Sequence, residues 1–193
     1  TEADRNMIRV KFLPDFSLFN RPVSIERLGS VPIIAVRSEP LQSDRNRLIK
    51  RTFDIFFSFF VLIFILSWLT PIIFLAIRIE SKGPLIFKQK RSGLNNRVFY
   101  CYKFRSMVAD NPTSDTVQAV RNDKRITKVG AFLRRTSIDE LPQFFNVLIG
   151  DMSVVGPRPH MLAHTQLYRQ KISQYMVRHF AKPGITGLAQ ING

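Results

Sequence analysis

The chain has 193 residues, with 29 Lys and Arg against 14 Asp and Glu and a formal charge of +15, a length that supports one core of ordinary size plus a fragment of a second domain. The charge bears on partners rather than fold and restricts them to nucleic acid, an anionic membrane surface or phosphate-rich small molecules. The single cysteine, Cys101, excludes an intrachain disulfide and suits a reducing compartment, with a buried spectator thiol as the expected role.

Residues 1–40 read as strands and loops. Met7-Ile8-Arg9-Val10-Lys11-Phe12 and Val31-Pro32-Ile33-Ile34-Ala35-Val36 are short runs rich in β-branched residues, as in the last strands of an α/β domain. The chain opens on Thr1 rather than Met and closes on Ile191-Asn192-Gly193. A piece of a longer protein is therefore expected, and the lack of a signal peptide carries no information. Residues 40–44 read as a linker.

A basic cluster follows, Arg45, Arg47, Lys50 and Arg51, and then residues 55–77 hold no charge at all. About 20 apolar residues suffice to cross a bilayer as a helix. Thr70-Pro71 interrupts the run, and proline removes a backbone donor and kinks a helix. Residues 55–69 would rise roughly 22 Å, short of a hydrocarbon core of roughly 30 Å. Positive residues mark the cytoplasmic side, yet Arg78, Lys82, Lys88, Lys90 and Arg91 lie on the far flank as well. The pattern favours a kinked helix that dips into the bilayer and returns, over a plain span or a buried core helix.

Beyond residue 83 the pattern turns to strands. Pro84-Leu85-Ile86-Phe87 and Arg97-Val98-Phe99-Tyr100-Cys101-Tyr102 flank the turn signal Gly93-Leu94-Asn95-Asn96. This reads as a hairpin carrying Gln89, Lys90, Arg91, Lys103 and Arg105. Residues 109–124 read as a polar loop or surface helix, and residues 125–135 as a short helix with Ile126, Val129 and Leu133 on its apolar side.

Asp139 and Glu140 are adjacent acids in a chain poor in acids. Ile138, Leu141, Phe144, Phe145 and Leu148 recur at helical spacing, and a helix start near Asp139 keeps Pro142 in the first turn, where it is tolerated. The acids then sit at a helix N-terminus, whose free N–H groups favour their charged form and help hold an anion. Residues 162–180 read as one amphipathic helix with Leu167, Ile172, Tyr175 and Met176 on its apolar side, and residues 182–187 as a Gly/Pro-rich turn.

Six motifs, in order, resemble the bacterial sugar transferases known as monotopic phosphoglycosyl transferases, from about residue 45 to the end. They are Arg51-Thr52-Phe53-Asp54 before the interrupted apolar run; Phe87-Lys88-Gln89-Lys90-Arg91-Ser92-Gly93; Tyr102-Lys103-Phe104-Arg105-Ser106-Met107; Arg134 ahead of Ser137-Ile138-Asp139-Glu140-Leu141-Pro142-Gln143; Gly150-Asp151-Met152-Ser153-Val154-Val155-Gly156-Pro157-Arg158-Pro159; and Pro183-Gly184-Ile185-Thr186-Gly187-Leu188-Ala189-Gln190-Ile191-Asn192-Gly193. Residues 1–40 resemble the tail of the extra nucleotide-binding-like domain of the longer members that start capsule or exopolysaccharide synthesis. Two departures are visible: many relatives have Ser-Pro where this chain has Thr70-Pro71, and Trp where it has Leu188.

The resemblance implies an α+β fold: a remnant of an α/β domain (1–40), a linker and basic juxtamembrane segment (41–51), a re-entrant membrane helix (52–80) broken at Thr70 and Pro71, and a compact, mainly helical cytoplasmic catalytic domain with a β-hairpin (81–193), cut at its C-terminus. It implies transfer of a sugar-1-phosphate from a UDP-sugar, glucose or galactose being favoured, to undecaprenyl phosphate at the bacterial inner membrane, with Mg²⁺ and release of UMP. Asp139 is then the nucleophile and Glu140 the Mg²⁺ ligand, as a hard cation prefers carboxylate oxygen. Arg158 offers a planar fork for phosphate, with Pro157 and Pro159 stiffening its loop. Lys103 and Arg134 orient the acids or neutralise phosphate, and Gln89 and Arg91 contact the donor or lipid headgroups. Partners are the UDP-sugar, the polyprenyl phosphate and anionic lipid, with a homo-oligomer admitted and nucleic acid not expected.

His160, His164 and His179 lack metal-ligand spacing, and no Ser/His/Asp arrangement, zinc pattern or Walker loop is present. A basic nucleic-acid-binding module accounts for the charge but not for the uncharged run or the paired acids. A non-catalytic membrane scaffold would not need both acids intact.

Overall fold

The computed structural model describes residues 24–28, 30–35, 39–108, 123–172 and 175–192. The chain divides into two compact units, residues 1–47 and 48–193. In the first, β1 (Ser24–Leu28) and β2 (Val31–Ala35) pair antiparallel, Ser24 opposite Ala35, ahead of a 3-10 turn at Pro40–Gln42. The strand expected at residues 31–36 is present. The one expected at residues 7–12 lies outside the described residues, as does most of the polar stretch 109–124.

The apolar run is helical: α1 (Asp44–Val61), a π-helical turn (Leu62–Leu66) and α2 (Ser67–Glu80) follow without a gap. Together, Asp44–Glu80 is long and apolar enough to cross a membrane, and most of it lacks protein cover. The expected break at Thr70-Pro71 is not where the helix deviates, because α2 runs through both residues. Pro71 has no N–H and its ring crowds the carbonyl one turn back, and the widened turn lies upstream of that point. Within it the Ser67 hydroxyl donates to the Ile63 carbonyl and the Trp68 indole N–H to the Phe64 carbonyl at 2.8 Å, so side chains serve carbonyls that a widened turn leaves poorly bonded.

In the second unit, β3 (Ile86–Ser92) and β4 (Val98–Phe104) form the expected hairpin, Gln89 opposite Cys101 and Phe87 opposite Lys103. Its turn needs Asn95 and Asn96 at φ 51° and 59°, a region asparagine tolerates. Next, α3 (Lys128–Arg135) starts later than expected, capped by Thr127, whose Oγ1 accepts the Gly130 N–H at 2.9 Å. Gly130 has no room for a side chain: a Cβ there would lie 2.0 Å from the Ser106 carbonyl oxygen.

The acid pair does not open an α-helix. It lies in a 3-10 turn, Ile138–Glu140, entered through Ser137 at φ 58°, and α4 begins only at Gln143, spanning Gln143–Ile149. Pro142 explains the correction: having no N–H it cannot bond the Ile138 carbonyl in an α ladder, and the Leu141 N–H takes that carbonyl instead. After α4, β5 (Ser153–Val155) pairs in parallel with β6 (Gly184–Thr186), where only a turn is expected. Gly156 and Gly184 make this pairing sterically feasible, since a Cβ on Gly184 would meet the Gly156 nitrogen at 2.0 Å. The expected single helix over 162–180 is two elements, α5 (Leu162–Lys171) and a 3-10 turn at Tyr175–Phe180. Ile172 is extended and, like Leu167, about half exposed, whereas Tyr175 of the same expected face is buried; the apolar stripe is not buried as one continuous face. A short α6 (Leu188–Ile191) follows.

Two apolar clusters form the core. Val61, Phe99, Cys101, Phe144, Val147, Met152 and Val154 make one, and Ile73, Ile77, Phe104 and Leu133 the other, with Leu141 packed against both. Each such side chain removed from water contributes roughly 1.5–3 kcal/mol. The residue after the acid pair thus anchors it at the junction of the clusters.

Both ends of the apolar helix are tied to this unit by polar bonds. At the start, the Arg51 guanidinium donates to the Val147 and Leu148 carbonyls at 2.6 and 2.8 Å, a cation at the C-terminus of α4. The Lys50 ammonium donates to the Val155 carbonyl at 3.0 Å. Buried Asp54 accepts from the Ser153 hydroxyl and the Val154 N–H, each at 3.0 Å. At the other end Glu80 accepts the Lys128 and Val129 N–H groups at 2.5 and 2.8 Å.

Candidate active site

One face of the β3–β4 hairpin supplies the floor of the site. Residues alternate across a strand, so Phe87, Gln89 and Arg91 share a face with their cross-strand neighbours Lys103, Cys101 and Phe99. β4 is held by Asn146 of α4, which is fully buried: its Nδ2 donates to the Tyr100 carbonyl at 2.7 Å and its Oδ1 accepts the Tyr102 N–H at 3.0 Å. This amide bonds the strand edge as a neighbouring strand would. It fixes Lys103, the next residue on β4, against the turn that carries the acids.

Six charged groups converge there. The Lys103 ammonium meets Glu140 Oε1 at 2.6 Å, and the Arg158 guanidinium approaches the same oxygen at 3.7 Å. Asp139 is buried, and among the described residues no other residue donates a hydrogen bond to its carboxylate. Burial pushes its pKa up, Lys103 and Arg134 pull it down, Glu140 pushes it up further, and the net direction is upward. Glu140 goes the other way. Burial alone would raise it, but Lys103, Arg158 and Arg91 outweigh that effect and hold it below the usual carboxylate range. Two neighbouring carboxyls thus carry opposite shifts, a pattern that separates roles in reactive sites.

Asp139, Glu140, Lys103, Arg134, Arg158, Gln89 and Arg91 all line one cavity of about 730 Å³, within the usual range for small-molecule sites. Pro157 does not line it; its carbonyl accepts the Gly184 N–H at 2.9 Å and so braces the loop before Arg158. Pro159 does line it, and its carbonyl accepts from Arg91 at 3.4 Å. The Arg91 guanidinium also donates to Gln89 Oε1 at 2.5 Å. Thr70 and Pro71 lie in α2, away from the cavity wall.

Sequence reasoning missed several members. Gln143 is buried and lines the cavity. His160 lines it too, with Nδ1 2.6 Å from the Tyr175 hydroxyl, and Arg178 lies against the same ring and donates to the Arg158 carbonyl at 2.6 Å. Gln143 and Asn146 were findable, as polar residues on the buried face of a short apolar helix. Arg178 carried no signal in a chain with so many cations. Cys101 is the expected spectator, buried with its thiol pKa pushed up to about 11 by burial.

The donor set fits Mg²⁺ only together with substrate. Among the described residues no cluster of three metal-ligating side chains occurs. Lys103 and Arg158 both approach Glu140 Oε1, and no described bond reaches Oε2. Mg²⁺ keeps several waters and is commonly held by one or two carboxylates plus substrate phosphates, a requirement that Glu140 alone meets.

Residues 45–193 match the family described as Bacterial sugar transferase. The chain is 50% identical over 185 residues to the UDP-glucose:undecaprenyl-phosphate glucose-1-phosphate transferase of Escherichia coli K12, covering 95% of this chain and 39% of that protein. It is 45% identical over 197 residues to the protein of the same name from Xanthomonas campestris, covering 98% and 40%. To the undecaprenyl-phosphate galactose phosphotransferase of Salmonella typhimurium LT2 it is 38% identical over 202 residues, covering 95% and 41%. The chain spans about two-fifths of the length of these curated relatives. With the family match running through every residue that lines the acid pair, the chain belongs to the bacterial sugar transferase family.

Proposed function

We propose that the protein transfers a sugar-1-phosphate from a UDP-sugar to undecaprenyl phosphate, releasing UMP, as the first membrane step of exopolysaccharide, capsule or O-antigen synthesis. The observation that carries this is the buried Asp139 facing a cavity beside Glu140, Lys103, Arg134 and Arg158. Glucose is the favoured sugar, because relatives named for glucose match at 45–50% identity over 95–98% of this chain, whereas a relative named for galactose matches at 38% and one named for N-acetylgalactosamine, at 48%, covers 60% of it.

In the first step an Asp139 carboxylate oxygen attacks the phosphorus that bears the sugar. The bond from that phosphorus to the bridging oxygen breaks, and UMP leaves with the electron pair. In the second, an oxygen of the lipid phosphate attacks the same phosphorus, the aspartyl–phosphate bond breaks, and the carboxylate is restored. Dividing one transfer into two displacements is what a carboxylate nucleophile contributes. Its raised pKa means that cations must favour the ionised form at the moment of attack. Lys103 and Arg134 supply that field, and Arg158 and Arg91 hold phosphate oxygens. Glu140 with the substrate phosphates would hold Mg²⁺, which supplies charge neutralisation at the diphosphate.

The apolar helix is read as re-entrant, with the catalytic unit on the cytoplasmic face of the bacterial inner membrane against anionic lipid. Arg51 and Glu80 bond the same folded unit, yet a straight helix between them would extend roughly 44 Å. A plain span would carry those ends to opposite surfaces. Phe56, Phe60, Phe64 and Trp68 leave an exposed apolar face for lipid.

The test is incubation with UDP-glucose, UDP-galactose and other UDP-sugars, Mg²⁺ and undecaprenyl phosphate, scoring UMP. Release from UDP-glucose is expected. No UMP from any donor, with the full-length protein shown folded, overturns the reading.

A further inference from the structure

The four free N–H groups of a helix N-terminus need partners, and α3 has one for each. Thr127 answers for two of them, its hydroxyl accepting from Gly130 at 2.9 Å and its own N–H donating to the Ser106 carbonyl at 3.2 Å, while its carbonyl takes the Ala131 N–H in the first intrahelical bond. The other two, Lys128 and Val129, are bonded by the two carboxylate oxygens of Glu80, 48 and 49 residues away in sequence, at the last position of α2. Thr127 alone is an ordinary local cap. Glu80 adds something a local cap does not, a two-point polar joint between the apolar helix and α3.

The rest of α3 is held so that little play remains. Leu133 packs with Ile73 and Ile77 of α2 and with Phe104 of β4. The Gly130 backbone lies against the Ser106 carbonyl with no space for a methyl group. Arg105 donates to the Ser81 and Lys82 carbonyls at 2.8 and 2.5 Å, fixing the chain just after Glu80 to the end of β4. At the far end of these eight residues is Arg134, whose charge acts on Asp139 and which lines the cavity.

The geometry points to Glu80 as a positioning residue for Arg134: by pinning the first turn of α3 to the end of the apolar helix, it sets where the guanidinium stands beside the acid pair. Glu80 touches neither cavity nor substrate, and its effect passes through α3. The inference rests on the proposed transferase reading for its kinetic consequence, and on the joint alone for its structural one.

The test uses the full-length protein in nanodiscs, with Glu80→Ala, Glu80→Gln, Asp54→Ala and Arg134→Ala, and Glu80→Ala combined with Arg134→Ala. Asp54→Ala destabilises the same unit away from the joint and controls for stability alone. The structural readout is the ¹⁵N resonance of the Arg134 side-chain Nε–H, assigned by its loss in Arg134→Ala. It should move in Glu80→Ala, move less in Glu80→Gln, which keeps one acceptor, and stay in place in Asp54→Ala. The kinetic readout is UMP release. Glu80→Ala should lower kcat about tenfold with KM within about twofold, in line with the cost of a small misplacement. It should lower kcat no further once Arg134 is absent, as two residues acting as one unit are non-additive. An unmoved Arg134 resonance in Glu80→Ala, or equal kcat losses with and without Arg134, overturns the inference. A wild type that releases no UMP while the resonance moves as expected overturns the transferase reading and leaves the joint standing.

Discussion

Among the described residues of the second unit two aspartates are buried, and they are built for opposite ends. Asp54, near the start of the apolar helix, accepts from a hydroxyl and a backbone N–H at 3.0 Å, with the Lys50 ammonium at 3.9 Å. Asp139 is almost as buried, yet faces a cavity with no such donor from another described residue and with cations arranged around its neighbour. A buried carboxylate tied by fixed dipoles joins elements together. One left without them keeps its lone pairs for a ligand, at the cost of a raised pKa. Burial alone does not separate scaffold from chemistry; the number of fixed donors does.

The largest effect expected from this contrast is in Asp139→Asn. Turnover should fall by about a thousandfold or more, and labelled sugar-phosphate should no longer be trapped on the protein. Its thermal stability should match or exceed wild type, because the variant removes a charge that burial disfavours. A working Asp139→Asn enzyme would break the contrast at its reactive end.

Asp54→Ala tests the other end. Removing one partner of a buried polar group leaves the rest unpaired, and a loss of about 3 kcal/mol in unfolding free energy is expected. The activity of the fraction that remains folded should stay within a few-fold of wild type. Normal stability with lost activity would move Asp54 into the chemistry.

Lys103→Met comes next. It strips Glu140 of its closest cation, and the loss of a preorganised electrostatic partner should cost about a hundredfold in kcat. Gly130→Ala should destabilise by about 1–3 kcal/mol through overpacking against the Ser106 carbonyl, read as a shift in the urea midpoint at unchanged slope.

Cys101 gives the smallest effect. Its folded-state pKa, raised to about 11, lies above that of an unfolded thiol, about 8.5. The unfolded chain therefore releases this proton first as pH rises. The contribution of Cys101 is fully present below about pH 8.5 and is lost as pH climbs towards 11. Cys101→Ala should flatten that alkaline decline, and iodoacetamide should label the native wild type slowly at pH 9.

Much of the fold was legible locally. The hairpin follows from period-two patterning and an Asn-Asn turn, and the apolar helix from a long uncharged run. The errors share a cause. Pro142 moved the helix start because one absent N–H outweighed the apolar spacing of Ile138 and Leu141, and the helix expected over 162–180 divided where its apolar stripe is buried only in part, Tyr175 being buried and Leu167 and Ile172 about half exposed. The parallel pairing of β5 with β6 could not be read, since strands of three residues have no period and their partner lies about 30 residues away.

The site divides along the same line. The sequence alone determined which groups are present: an adjacent acid pair, an arginine between prolines, a lysine and an arginine on a hairpin, and a long apolar run, because residue type and local periodicity are properties of neighbours in the chain. Only the tertiary structure decided what each group does. It left Asp139 without a donor from any other described residue and gave Glu140 to Lys103. It turned Asn146 into a surrogate strand and joined Glu80 to the helix that carries Arg134. Those outcomes depend on distance and desolvation between residues far apart in the chain, and these exist only once the core around Leu141 has closed.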